Sequence, residues 1–111
     1  MRIRDIQKAV HNLAIEKGWW DMSKPPLGPR RNRGELIALI HSELSECLEA
    51  MRDGNPKSLV ITPYTCAEEE LADVVIRIMD WCEEEGWDLE GAIEAKHGYN
   101  CTRDYRHGRE F

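Results

Sequence analysis

The sequence predicts an all-α protein, a four-to-five-helix bundle, on three observations. Apolar residues recur at i, i+3, i+4 and i+7 in four separate segments. Alternation of β-branched and polar residues, the mark of a half-buried strand, is missing. Helix stops at Gly18, at Asp53-Gly54-Asn55-Pro56 and at Gly86 separate the segments.

The first helix, residues 2–17, gathers Ile3, Ile6, Val10, Leu13 and Ala14 on one stripe. Residues 19–33 cannot continue it, because Pro25, Pro26, Gly28 and Pro29 remove donors and fix backbone angles; with Arg30 and Arg31 they form a Pro/Arg-rich loop that opens on Trp19-Trp20. The second helix covers 34–53. The third, 65–85, opens on Thr65-x-x-Glu68, a capping box in which each side chain satisfies the other's backbone N–H. The fourth runs from 88 to 105, and residues 106–111 form a basic tail. No repeat or low-complexity tract interrupts the pattern, and 111 residues suit a single domain, 1–111, with one core.

A net charge of -6 argues against a nucleic-acid partner. With no apolar run near the roughly 20 residues of a membrane span, and no signal-peptide h-region after Met1-Arg2-Ile3-Arg4-Asp5, a soluble cytoplasmic protein without membrane contact is expected. Cys47, Cys66, Cys82 and Cys101 are scattered without a C-x-x-C pair, so they are expected reduced, with Cys47 and Cys82 packed on apolar arcs and no zinc site. The charge is segregated. Residues 1–34 carry eight basic and three acidic groups, 35–95 three and sixteen, and 96–111 four and two. An acidic middle between basic ends is either a set of solvated helix faces or a cation site flanked by groups for an anion.

Helix geometry distinguishes the two. In the second helix Leu36, Ile37, Ile40, Leu44, Cys47, Leu48 and Met51 fall within about 120° of arc, which Leu39 extends. Glu43 points into that arc, between Leu39 and Leu36, and Glu46 lies beside it at i+3. The third helix repeats the pair in Glu70-Leu71-Ala72-Asp73, on a helix whose apolar arc of about 220° leaves only Glu70, Asp73, Arg77 and Asp80 as a polar strip. Burying carboxylates that repel each other is costly unless a cation compensates. Two antiparallel helices joining Glu43, Glu46, Glu70 and Asp73 would make an all-oxygen site for Mg2+ or Mn2+. Glu68, Glu69, Glu83, Glu84 and Glu85 read as solvated acids. A di-iron site would want two Glu-x-x-His motifs, and only Glu94-Ala95-Lys96-His97 has that form.

Lys96, Asn100 and Arg103 are spaced i, i+4, i+7, one face of a continuing helix. That face suits phosphate oxygens as well as it suits a solubilising last turn. Trp20 has two readings, core anchor or platform for a base. Arg77 has two as well, a phosphate contact or an ion pair with Asp73 or Asp80.

Glu-x-x-Glu, then 23 residues, then Glu-x-x-Asp resembles the motif of the all-α nucleoside triphosphate pyrophosphohydrolases, in their MazG-like branch. Leu39-Ile40-His41-Ser42-Glu43-Leu44-Ser45-Glu46 and Glu70-Leu71-Ala72-Asp73-Val74-Val75-Ile76-Arg77 are similar to the corresponding stretches of that branch. Lys96-x-x-Tyr99-Asn100-x-x-Arg103 followed by His107-Gly108 is similar to its ending. The 24–33 loop departs from it, being longer and more basic. The resemblance implies a MazG-like bundle that oligomerises through helix faces as a homodimer or dimer of dimers. It implies hydrolysis of a (d)NTP to (d)NMP and pyrophosphate, a house-cleaning activity on the nucleotide pool, with Mg2+ (or Mn2+) on Glu43, Glu46, Glu70 and Asp73. Glu46 is the candidate proton acceptor, and Lys96, Asn100, Arg103 and Trp20 would be substrate contacts. Two rivals are a non-catalytic helical interaction module with a structural cation and a phosphoribosyl-ATP pyrophosphohydrolase.

Overall fold

The computed structural model describes residues 1–24, 30–104 and 110. Residues 25–29 of the expected loop, and 105–109 and 111 at the other end, His107-Gly108 among them, lie outside the described residues. Four helices make up the rest: α1 (Ile3–Glu16), α2 (Arg33–Arg52), α3 (Cys66–Glu85) and α4 (Leu89–Cys101). Among the described residues there is no strand, only an isolated antiparallel bridge between Lys57 and Thr65. No described helix is long and apolar enough to cross a membrane.

Each of the last three helices starts where a side chain satisfies a free backbone N–H. Asn32 accepts from the Glu35 N–H at 3.0 Å and opens α2. Thr65 and Glu68 form the expected reciprocal box at α3, at 3.2 Å and 3.0 Å. Asp88 accepts from the Gly91 N–H at 3.0 Å and opens α4. Helix α3 stops at Gly86, whose φ of +75° only glycine adopts without strain. Helix α4 ends four residues before the expected 105. There the Thr102 hydroxyl donates to the Tyr99 carbonyl at 2.7 Å, and the Thr102 and Arg103 N–H groups turn back to Tyr99 and Asn100, tightening the last turn.

Helix α3 is the centre of the molecule. Helices α1 and α2 both pack on it, whereas α4 touches α1. Both neighbours run antiparallel to α3: the start of α2 meets its end through Arg33 and Glu85, and Gln7 of α1 reaches Glu83. Ala14, Trp20 and Leu36 form a buried apolar cluster, with Ile15 and Trp81 packed against it, and Ala50, Ala67, Met79 and Cys82 are buried as well. Helix α2 lies on α3 along the row Leu36, Glu43 and Ala50, seven residues apart. The flank of its apolar arc, Ile37, Leu44, Leu48 and Met51, therefore faces outward half-exposed. All four cysteines are free, Cys82 buried and Cys47 partly so.

The α1–α3 contact is polar inside. Asp80 of α3 accepts the Trp20 ring N–H at 2.9 Å and lies 2.7 Å from His11 Nδ1. Glu84, one turn on, lies 3.4 Å from His11 Nε2 and accepts from Arg30 at 3.3 Å. His11 also meets the Trp20 ring edge-to-face. Gln7 donates to Glu83 at 2.9 Å and to the Trp87 carbonyl at 3.1 Å. Gln7, His11 and Ala14 form one buried row at i, i+4, i+7, a signal for a polar seam that the apolar-stripe reading passed over. Glu83, Glu84 and Glu85, expected solvated, are each engaged by α1, the 19–33 loop or α2.

Trp20→Phe keeps the ring's bulk and deletes the N–H, leaving Asp80 with a missing donor. Urea unfolding should show a loss of about 1–3 kcal/mol; an unchanged midpoint would mean that His11 alone satisfies Asp80.

Candidate functional site

The acids of α3 divide sharply by their company. Glu68 is engaged by Thr65, Glu69 by Ser58, Asp80 by Trp20 and His11, Glu83 by Gln7, Glu84 by Arg30, and Glu85 by Arg33 in a two-point contact of 2.8 Å each and by Trp81. Glu70 and Asp73 meet no such donor among the described residues. They turn instead toward another carboxylate, Glu43 of α2, and one oxygen from each of the three lies within 4.8 Å of the others. All three side chains are half-buried between the two helices.

The like-charge contact has the expected consequence for protonation. Loss of hydration, and then the adjacent Glu43 carboxylate, push Glu70 up to about 7. Burial and Glu43 also raise Asp73, with Arg77 partly offsetting them. Among the described residues Arg77 is the one cation in direct contact with the group: its Nε donates to Glu43 Oε1 at 2.9 Å. It thus bridges α3 to α2, rather than pairing with Asp73 or Asp80 along its own helix.

These residues stand beside a cleft of about 600 Å³ lined by Glu43, Asp73 and Arg77, by Glu35 and Leu39 of α2, by Ile76 and Asp80 of α3, and by Trp19 and Arg31 of the loop. The sequence reading missed most of this wall. Glu35 and Leu39 were detectable, since they lie eight and four residues before Glu43 on one helix face. Glu46, three residues after Glu43, continues that face; it is exposed and stands outside the three-carboxylate group.

The tryptophan pair is divided, and Trp20 takes the core-anchor reading of its two. Trp20 is 4% exposed and spends its N–H on Asp80, while Trp19 is 57% exposed and lines the cleft. Arg31 sits over the Trp20 ring, 5.2 Å from its centre, and so couples the buried ring to the cleft wall. The α4 residues are not brought to this cleft. Lys96 and Asn100 border a separate shallow depression with Ala92, Ile93 and His97. Arg103 lies beyond the helix end and, with Lys96, flanks the Tyr99 ring. The expected i, i+4, i+7 face is therefore broken by the stop at Cys101.

The donor set fits a small hard cation on its own chemistry. It offers only carboxylate oxygens, close enough for modest side-chain rotation to bring them to octahedral spacing, and their mutual repulsion is relieved by a positive charge. Glu43, Glu70 and Asp73 are the residues that would hold it.

A pH effect on stability follows. Folded Glu70, at about 7 against an ordinary 4.5, keeps a proton through a range in which the unfolded chain has released it. The metal-free protein should therefore lose stability as pH rises between those values, with the loss complete above the upper one. Glu70→Gln should flatten this dependence when urea midpoints are compared from about pH 5 to about pH 8; parallel profiles for the two proteins would show that Glu70 titrates as an ordinary surface carboxyl.

Comparison with family models, with curated proteins and with solved structures yields no match for this chain.

Proposed function

We propose that this protein is a magnesium-dependent hydrolase that cleaves a nucleoside triphosphate to the monophosphate and pyrophosphate, in the manner of the MazG-like enzymes its motifs resemble. The observation that carries this reading is the pair of α3 acids left without donors and directed, with Glu43, toward one point beside a cleft, on a helix whose other acids are all engaged. Mg2+ or Mn2+ held by Glu43, Glu70 and Asp73 would supply neutralisation of phosphate charge and acidification of water. Arg77 orients Glu43 through its 2.9 Å contact. Arg31 presents a guanidinium fork to phosphate oxygens, and the exposed face of Trp19 offers a surface on which a base stacks. Glu46, one turn from Glu43 and outside the triad, and Glu35, in the cleft wall, are the carboxylates of α2 left to accept a proton from the attacking water. The adjoining cleft favours an enzyme over a purely structural cation site, because a structural site would not need a cleft lined also by a cation, Arg31, and an aromatic ring, Trp19.

Self-association in a cytoplasmic setting belongs to the same reading. The outward flank of α2 and the exposed Leu71 and Val75 of α3 are more apolar surface than α1 and α4 cover.

Incubating the protein with a panel of triphosphates and Mg2+, and reading out pyrophosphate and monophosphate, tests the activity. Release should stop in excess chelator and be poorly supported by Ca2+, whose larger coordination shell suits this tight oxygen set less well. Glu43→Gln should lower turnover by at least about tenfold with the helical content intact. Turnover that persists in chelator, or a Glu43→Gln variant as active as the parent, would overturn the assignment.

A further inference from the structure

Arg77 stands where the carboxylate group and the cleft meet, and it is held more loosely than Arg30 and Arg33. Arg33 meets Glu85 through two nitrogens at 2.8 Å each, and the Arg30 and Glu84 side chains are both buried. Arg77 meets Glu43 through Nε alone, at 2.9 Å, and its side chain is 37% exposed in the cleft wall. Its two terminal nitrogens make no hydrogen bond among the described residues. The fork that suits phosphate oxygens is therefore unspent, on a side chain that borders the space a polyphosphate would enter.

Glu43 is claimed from two sides. Arg77 takes its Oε1, and one of its oxygens lies within 4.8 Å of oxygens from Glu70 and Asp73. A guanidinium and a divalent cation drawn to the same carboxylate repel each other, and in a half-buried setting water and salt screen that repulsion incompletely. Both charges compensate Glu43, so the larger one replaces the smaller. Giving up the ion pair costs little, because a one-point contact with a partly exposed partner is a weak one. In the cleft the released guanidinium has a better acceptor in a phosphate oxygen than in a carboxylate whose charge the cation has already met.

We propose that Arg77 changes partner as the site fills: it is the counter-charge of Glu43 in the cation-free chain, and it turns into the cleft to hold a phosphate oxygen once Glu43 has taken a divalent ion. The ion pair and the phosphate contact are then two states of one side chain. Cation and polyphosphate favour each other through it, since whatever draws Arg77 off Glu43 opens that carboxylate to the ion, and the converse. The proposal rests on the reading of Glu43, Glu70 and Asp73 as a cation site, and it holds whether or not the bound nucleotide is hydrolysed.

The test measures binding to the full chain, without turnover. Mn2+ is titrated into wild type, Arg77→Gln and Arg77→Lys, the free ion being read by electron paramagnetic resonance, once circular dichroism has shown equal helical content. With the guanidinium gone, Arg77→Gln should bind Mn2+ roughly three- to tenfold more tightly than wild type. Arg77→Lys, which keeps the charge, should stay close to wild type. Inorganic tripolyphosphate, a phosphate chain without sugar or base, is then titrated with and without saturating Mn2+. Arg77→Gln should lose roughly tenfold in tripolyphosphate affinity when Mn2+ is present, and little when it is absent. An Arg77→Gln variant that binds Mn2+ no more tightly than wild type, or whose tripolyphosphate affinity departs from wild type equally in both conditions, overturns the proposal and leaves the cation site standing. Failure of wild type and both variants to bind Mn2+ at all overturns the cation site itself, and the proposal with it.

Discussion

The structure depends on how negative charge on the central helix is compensated. Eight of the twenty residues of α3 are acidic, and a helix packed on two sides cannot leave such groups in low dielectric without partners. The fold answers by bringing donors from every direction: Gln7 and His11 from α1, Trp20 and Arg30 from the loop, Arg33 from α2, Ser58 from the connecting turn. These contacts do more than neutralise. They set the register of α1 and α2 against α3, since Gln7, His11 and Arg33 are side chains at particular turns of those helices, whereas the buried apolar cluster of Ala14, Trp20 and Leu36 is small.

Against this background the group at Glu43, Glu70 and Asp73 is conspicuous for what it does not receive. Arg77 supplies one guanidinium to Glu43, while Glu70 stays pressed against a carboxylate of the same sign. A native structure keeps such repulsion only where the rest of the fold is stable enough to impose it, and here the imposing elements are the polar seam on one side and the Arg33–Glu85 fork at the helix end. Repulsion of this kind is the counterpart of affinity for a cation, because the ion recovers in binding what the empty site costs.

What could be read from the sequence follows from which features are local. The helices, the Thr65–Glu68 box and the stop at Gly86 depend on residues within one or two turns, and pattern alone places them. Glu43, Glu70 and Asp73 were legible because a carboxylate inside an apolar arc must meet something. Glu46 looked equivalent to Glu43, since three residues on one helix are neighbours, but convergence is decided by the line on which α2 and α3 touch, and that line passes through Glu43. Trp19 and Trp20 differ by a turn of backbone outside any periodic element, so no wheel could say which ring faces Asp80. Lys96, Asn100 and Arg103 assumed a helix that continues; the stop after Cys101 and the docking of α4 on α1 are tertiary outcomes.

The Pro/Arg-rich segment is anchored to α3 at two points. Trp20 and Arg30 fasten its ends to Asp80 and Glu84, one turn apart on the same helix, with nine residues between them. The cost of closing a loop rises only slowly with its length. Insertions or deletions between those two fasteners would therefore leave the frame and the three carboxylates where they are. The loop residues that line the cleft, Trp19 and Arg31, stand just outside those two fasteners, so the cleft wall is held by the frame and is independent of the length of chain between them.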